Sequence, residues 1–297
     1  MANLLYPAST GHITDDKYSH LVIPNLFARN VFQPEVTFTA RYQTGPAGQI
    51  MVHKPGIATV TATAPGQDFS TSIVQDTLVT IAIDKQWNRD RKLLGVTAQA
   101  VAYDAAAIEL ELASREVGAG IQLETARTLV TTTGIKVSDN ILTETTSSTI
   151  YDQIVDDRAK LRALNVLPDV LITGPKGYAK LLKAPEFQRA VQRADEAVYD
   201  GYVGSIAGLK VFEYETFDTL AVATDVIGGV TWATGDVLEY VMYDHEALSV
   251  ILPHHVARVK DAEGFVGVRN QVEVLGGIKV TNPDCVLVKL HDASASA

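Results

Sequence analysis

Residues 99–131 read QAVAYDAAAIELELASREVGAGIQLETARTLVT, and this stretch decides how the chain is to be folded. Val101, Ala105, Ile108, Leu112, Ala119, Leu123, Ala126 and Val130 recur at helical spacing, as an apolar stripe on one helix does. Glu109, Glu111, Arg115, Glu116, Glu124 and Arg127 fall mostly off that stripe. Gly118 and Gly120 weaken the middle by about 1 kcal/mol each relative to alanine, so a kink or a close packing contact is expected there. At ~1.5 Å per residue the helix runs to about 50 Å, longer than most globular domains need. It reads as a strut.

Upstream of the strut lie two alternating runs, IATVTAT at 57–63 and LVTIAID at 78–84, separated by a polar stretch that begins Pro65-Gly66-Gln67-Asp68. Threonine and alanine dominate them, so neither face of such a hairpin buries much, and a lone two-stranded hairpin is marginal in water. It needs a partner surface. Residues 1–50 show little periodicity but carry Pro7, Pro24, Pro34 and Pro46 among Tyr6, Tyr18, Phe27, Phe32, Phe38 and Tyr42. A disordered tail is not this aromatic. The segment reads as an extended arm that buries its rings against its own body or a neighbouring subunit.

Downstream the pattern is mixed α/β. After the turn Thr133-Gly134-Ile135-Lys136, a second helix is expected from about Ser147-Ser148-Thr149 to Leu164, then a short buried strand Val170-Leu171-Ile172-Thr173. Helices are expected at 178–182 and 186–197, separated by Pro185. The glycine-punctuated run 201–208 leads into a strand at 209–212, and 230–290 is strand-like nearly throughout. The tail 292–297 is expected to be disordered.

At 297 residues with 46% hydrophobic content, the chain buries a sizeable core. A net charge of -10 without a basic run argues against a tight grip on nucleic acid, which needs clustered cations to displace phosphate counterions. The single cysteine, Cys285, sits in the strand-like Cys285-Val286-Leu287-Val288 and reads as a small buried hydrophobe in a reducing compartment. The N-terminus lacks the marks of a signal peptide, and no window approaches ~20 apolar residues. A soluble protein of the cytoplasm is expected.

Motifs that would carry chemistry fall short. Thr173-Gly174-Pro175-Lys176-Gly177-Tyr178 has a lysine before the second glycine, not after it, so it departs from the phosphate-loop pattern. Ser205 lacks the flanking glycines of a nucleophile elbow, since Val203 and Ala207 stand there. Glu109, Glu116 and Glu124 have no Glu-x-x-His partners for a di-iron bundle, and a solvated or salt-bridged face is expected. His254 and His255 are adjacent and on a strand point to opposite faces. Asp244-His245-Glu246 reads as a polar turn. No catalytic residue, cofactor or metal is expected, and the chain is not read as an enzyme.

The order of elements resembles the major capsid proteins of tailed bacteriophages, whose fold is named after a Hong Kong phage and is shared by encapsulin nanocompartments. Three stretches carry the resemblance: LPDVLITGPKGYAKLL at 167–182, GYVGSIAGLKV at 201–211, and VRNQVEV at 268–274 followed by Asn282-Pro283-Asp284. It implies an α+β fold, with an N-terminal arm at 1–50, an extended hairpin loop at 51–90 and a peripheral domain with spine helix at 91–146. A mainly axial domain at 147–250 and strands returning to the peripheral domain at 251–297, with the tail, complete it.

The implied function is a coat subunit that builds hexamers and pentamers of an icosahedral shell around double-stranded DNA, with an encapsulin-like compartment shell as the alternative. Its acidity would then leave an inner wall that repels DNA and keeps contact with it non-specific. A portal and a separate scaffolding protein are implied partners, the latter because the chain begins directly with the arm. Assembly in the host cytoplasm and residence in the virion capsid follow, with no membrane. The contacts between subunits are expected at Phe27, Phe32, Ile57, Val60, Phe69, Leu78, Ile81 and Tyr202. Some relatives crosslink lysine to asparagine; Lys54, Lys85 and Asn282 do not match that pattern, and no crosslink is expected.

Overall fold

The computed structural model describes residues 12–13, 31–32, 42–44, 49–54, 77–94, 105–139, 144–185, 205–220, 226–227, 230–231, 236–261 and 267–291. The short strands β1 (His12–Ile13) and β2 (Tyr42–Thr44) precede β3 (Gln49–Lys54), β4 (Thr77–Ala82) and β5 (Lys85–Leu94). A long helix, α1 (Ala105–Thr131), is followed by β6 (Lys136–Val137), α2 (Ile150–Ala163), β7 (Val170–Thr173) and α3 (Pro175–Lys183). Then come β8 (Ser205–Ile206), β9 (Leu209–Glu213), β10 (Val226–Ile227), β11 (Val230–Thr231) and β12 (Val237–Tyr243). The chain of strands closes with β13 (Leu248–Asp261), β14 (Gly267–Val280) and β15 (Val286–His291).

Two sheets carry the body. The first is antiparallel, in the order β1-β13-β14-β5, with α1 packed on β14 and β5. The second is mixed, in the order β6-β15-β12-β7-β9-β8, and α3 packs on β7 and β12. The core runs through both: Leu110, Val117, Ile121 and Leu129 of α1 belong to the same cluster as Ile150, Ile154 and Leu161 of α2 and the strand residues Leu171, Val241 and Leu287. Every side chain of β7 and β15 is buried, as expected of strands covered on both faces. The late strands divide: β13 and β14 lie beside β5 and α1, whereas β15 pairs with β12 and β6 in the second sheet.

The strut is a helix, but it faces the other way. Ile108, Leu112 and Leu123, assigned to the inward stripe, are 43%, 38% and 47% exposed, while Leu110, Ala113, Val117, Ile121 and Leu129 are buried. Ala126 and Val130 are buried as expected. The helix is apolar on nearly every side, so spacing does not choose its face. Charge does. On β5, Lys85, Arg89 and Arg91 alternate along one face and pair with Glu124, Glu116 and Glu109 of α1, which turns that carboxylate row towards the sheet. β5 itself, KQWNRDRKLL, is too polar to be read as a strand, and its other face is tied to β14 by Arg269–Asp90 and Gln86–Glu273.

β2, β3 and β4 form a separate antiparallel ladder in which Lys54 stands opposite Thr77 and Gln49 opposite Ala82. The second expected hairpin strand is therefore found; the first, at 57–63, lies outside the described residues, and β3 begins earlier in the chain. The ladder is anchored at its base, where Ile50 and Ile81 pack on Ile251 of β13. β13 itself carries a bulge between Ile251 and His254, and Pro253, which has no N–H to give to a ladder, sits in it.

Local endings follow from backbone chemistry. α2 closes with Asn165 at φ 62, where Val166 N–H reaches Leu161 C=O at 3.1 Å and Asn165 N–H reaches Arg162 C=O at 3.0 Å, a Schellman arrangement. β8 and β9 are joined by the two residues Ala207 and Gly208, both at positive φ (51 and 81). Such a turn suits Asn-Gly, and alanine carries the steric cost of the left-handed region. Ala207→Asn is expected to raise stability by about 0.5–1 kcal/mol, read from the midpoint of urea unfolding at unchanged slope. The expected helix at 186–197 and the glycines at 201 and 204 lie outside the described residues.

Candidate functional site

The turn between β7 and α3 has a phosphate loop's place in the fold, but not its vacancy. Asp218 Oδ2 accepts from Lys176 N at 3.2 Å, so a carboxylate of the chain itself occupies the N-terminus of α3. A Cβ on Gly174 would stand 1.8 Å from Asp218 Oδ1, and one on Gly177 would stand 2.1 Å from Thr173 Oγ1 and 3.0 Å from the carbonyl of Glu239. Both glycines are set by close packing. Ser205 is exposed at the start of β8, beside a plain hairpin turn.

The carboxylates of α1 are salt-bridged. Arg91 reaches both Glu109 and Glu116, the latter at 2.6 Å, and these partners raise the guanidinium further above its ordinary value. For Glu116, burial pushes the carboxyl up, but Arg91 and Arg89 outweigh it and hold the group low. His254 and His255 are neighbours on β13, as expected. Asp169, Asp244 and His245 bring donor atoms within 4.8 Å of one another. Their bonds fasten a turn: Asp169 Oδ1 accepts from His245 N at 2.9 Å, Asp169 Oδ2 lies 2.6 Å from His245 Nδ1, and Asp244 Oδ1 accepts from Glu246 N at 3.0 Å.

The residues expected at subunit contacts separate. Leu78 on β4 is 49% exposed. Phe32 is 2% exposed, stacked edge-on against Tyr214 (ring centroids 6.3 Å apart), and Ile81 is 1% exposed in the cluster with Ile50. These two are covered by their own chain: Phe32 joins the main core, and Ile81 packs with Ile50 on Ile251. Phe27, Ile57, Val60, Phe69 and Tyr202 lie outside the described residues. Lys85 is engaged with Glu124, and Asn282 Nδ2 donates to the buried Cys285 Sγ at 2.7 Å. No helix among the described residues is long and apolar enough to cross a membrane.

Sequence reading missed the buried polar cluster on the second sheet. β12 bulges between Leu238, opposite Leu290, and Tyr240, opposite Lys289, leaving Glu239 as the extra residue. Glu239 Oε1 accepts from Thr145 N (3.1 Å), Thr145 Oγ1 (2.9 Å) and Lys180 Nζ (3.0 Å) and lies 3.2 Å from His291 Nδ1. Nearby, Asp157 of α2 accepts from Tyr240 OH at 2.7 Å, Ser138 Oγ at 3.1 Å and Gln153 Nε2 at 3.3 Å. Glu239, Asp157, Lys289 and His291 are all 7% exposed or less. The visible signal was a charge in the middle of an apolar strand, Glu239 in VLEYVMY and Lys289 in VLVKLH.

Burial raises the Asp157 carboxyl above its ordinary value against the pull of those three hydrogen bonds and of Lys160. The folded state then holds the proton more tightly than the unfolded one, so this group's contribution to stability rises as pH falls through the raised value towards 3.8 and is lost above it. Asp157→Asn is expected to be more stable than the parent at neutral pH, with the advantage vanishing on acidification. Unfolding curves of both proteins across pH check this.

No family model matches the sequence, and no curated protein matches it significantly. Solved structures do. A chain of Mycobacterium phage Che8 superposes at TM-score 0.59 with 16% identity, covering 80% of this chain and 84% of that one. The capsid of Cyanophage P-SCSP1u superposes at 0.62 with 13% identity and 88% of each chain. A virus-like particle from Pyrococcus furiosus superposes at 0.55 with 15% identity, covering 92% of this chain and 97% of that one. These superpositions over most of the chain show its fold: it is the fold of the phage major capsid proteins, the Hong Kong phage capsid fold.

Proposed function

We propose that the chain is the major coat subunit of a tailed bacteriophage, a non-enzymatic protein that assembles into hexamers and pentamers of an icosahedral shell around double-stranded DNA. The observation that carries this reading is the match over most of the chain to capsid structures. Surface chemistry supports it: Ile108, Leu112 and Leu123 on α1 and Leu78 on the ladder are large apolar side chains left open by the subunit, as surfaces completed by neighbours are. In this reading residues 1–50 are the arm, 51–90 the extended loop, 91–146 the peripheral domain, 147–250 mainly the axial domain and 251–297 the returning strands with the tail. Portal, scaffolding protein and DNA meet the shell as expected from the resemblance.

The ladder register supplies a clean test. Because Lys54 pairs with Thr77, residues 55–76 can be replaced by Asn-Gly, closing a two-residue turn without disturbing β3 and β4. The variant is expected to fold and stay soluble but to form no shells; normal particles would sink the assignment. The second reading, an encapsulin-like compartment, is favoured by the near-complete coverage of the Pyrococcus particle. Electron microscopy of particles from the native source separates the two, since dense DNA, a portal vertex or a tail belongs only to the phage.

A further inference from the structure

The cover of the second sheet is held by charge where apolar contact would serve. A buried ionic set carries a desolvation cost that a hydrophobic set of similar volume avoids. Here its bonds are also unevenly shared. Three donors and the His291 ring converge on Glu239 Oε1, whereas Oε2, equally sealed, has no protein donor, and His291 Nδ1 makes no hydrogen bond despite its 3.2 Å separation from Oε1. The ring nitrogen thus stands beside the oxygen that already carries the Lys180 bond, and it is Oε1 that the two cations would share.

We propose that His291 and Lys180 compete for Glu239, so that protonation of His291 takes Glu239 from Lys180 and loosens α3 from the sheet. The two rivals stand on different footings. His291 is on β15, a strand with neighbours on both sides, and can take the carboxylate without moving an element. Lys180 is on α3, and its ammonium already touches a second carboxylate, Glu144 at 2.8 Å, which is 41% exposed and offers a way out. The surrounding charges favour this direction. Lys289 lies on the same strand as His291, Asp157 faces the cluster from α2 with Lys160 beside it, and Glu144 with Thr145 closes the segment before α2. A proton added on His291 puts a third cation among two lysines, and the one that can leave is Lys180. Burial already weakens the hold of Lys289 on its proton, whereas Lys180 is kept charged by its two carboxylates against its own burial.

Histidine is the side chain whose ordinary titration falls between pH ~5 and ~8. Hydrogen exchange of the full-length protein, corrected for the intrinsic pH dependence, is to be read on the peptide spanning Pro175–Lys183 at about pH 8 and about pH 5. We expect α3 to open about tenfold more readily at the acidic end, with peptides of α1 unchanged. His291→Gln is expected to remove the difference. Lys180→Met, which removes the rival cation at a side chain 20% exposed, is expected to give exchange that no longer responds to pH. Equal or stronger protection of α3 at acid pH in the parent overturns the proposal. So does a response that survives in either variant, and the lysine variant keeps the test alive if the histidine variant does not fold.

Discussion

Glu239→Ala is expected to cost the folded protein about 3–5 kcal/mol, the range for removing one partner of a buried ion pair. The side chain is 3% exposed and is the meeting point of Thr145, Lys180 and His291. Its loss strands the Thr145 donors and leaves the fully buried Lys289 with less counter-charge. Glu239→Gln removes the charge but keeps an acceptor at Oε1 for the Thr145 donors, so it is expected to cost less than the alanine variant. Urea unfolding monitored by far-UV dichroism separates the two. Equal losses for both variants would show that the carboxylate charge, not the acceptor, is what the cluster needs.

Gly277→Val is expected to break the seat of the hairpin ladder. A Cβ at Gly277 would stand 2.2 Å from the carbonyl oxygen of Ala82 and 3.0 Å from Ile81 Cγ2, so β4 crosses β14 where only a hydrogen fits. Backbone cannot rotate aside as a side chain can, and overpacking of this kind costs about 1–3 kcal/mol. Because Ile81 and Ile50 also hold the ladder to Ile251, the wedge is expected to free the ladder while leaving α1 and the second sheet folded. Limited proteolysis is expected to show faster cleavage between β3 and β4, with the helical signal retained. Unchanged cleavage would contradict this account of the junction.

What the sequence revealed depended on how the relevant energy is encoded. α2, β7, α3 and β9 fell near the positions expected, because the helical spacing of Ile150, Ile154 and Leu161, a short apolar run bounded by Pro168 and Gly174, and a turn glycine all act locally. The face of α1 was misread, since Ile108 and Leu110 are equally apolar and the choice between them is made by Lys85, Arg89 and Arg91 on a strand that is itself polar. β5 is a strand through pairing with β14, which no local pattern encodes. Phe32 was expected at a contact between subunits; whether its own body or a neighbour covers an arm aromatic is a tertiary fact, and Tyr214 packs against it within the chain. The Glu239 cluster depends on a bulge, and bulges leave little trace in sequence.

The central claim, that this fold serves as a shell subunit, is tested most directly by negative-stain electron microscopy of the purified recombinant chain. The account predicts rings or closed icosahedral particles built from this chain. A uniform compact monomer or dimer at every protein concentration and salt condition would contradict it.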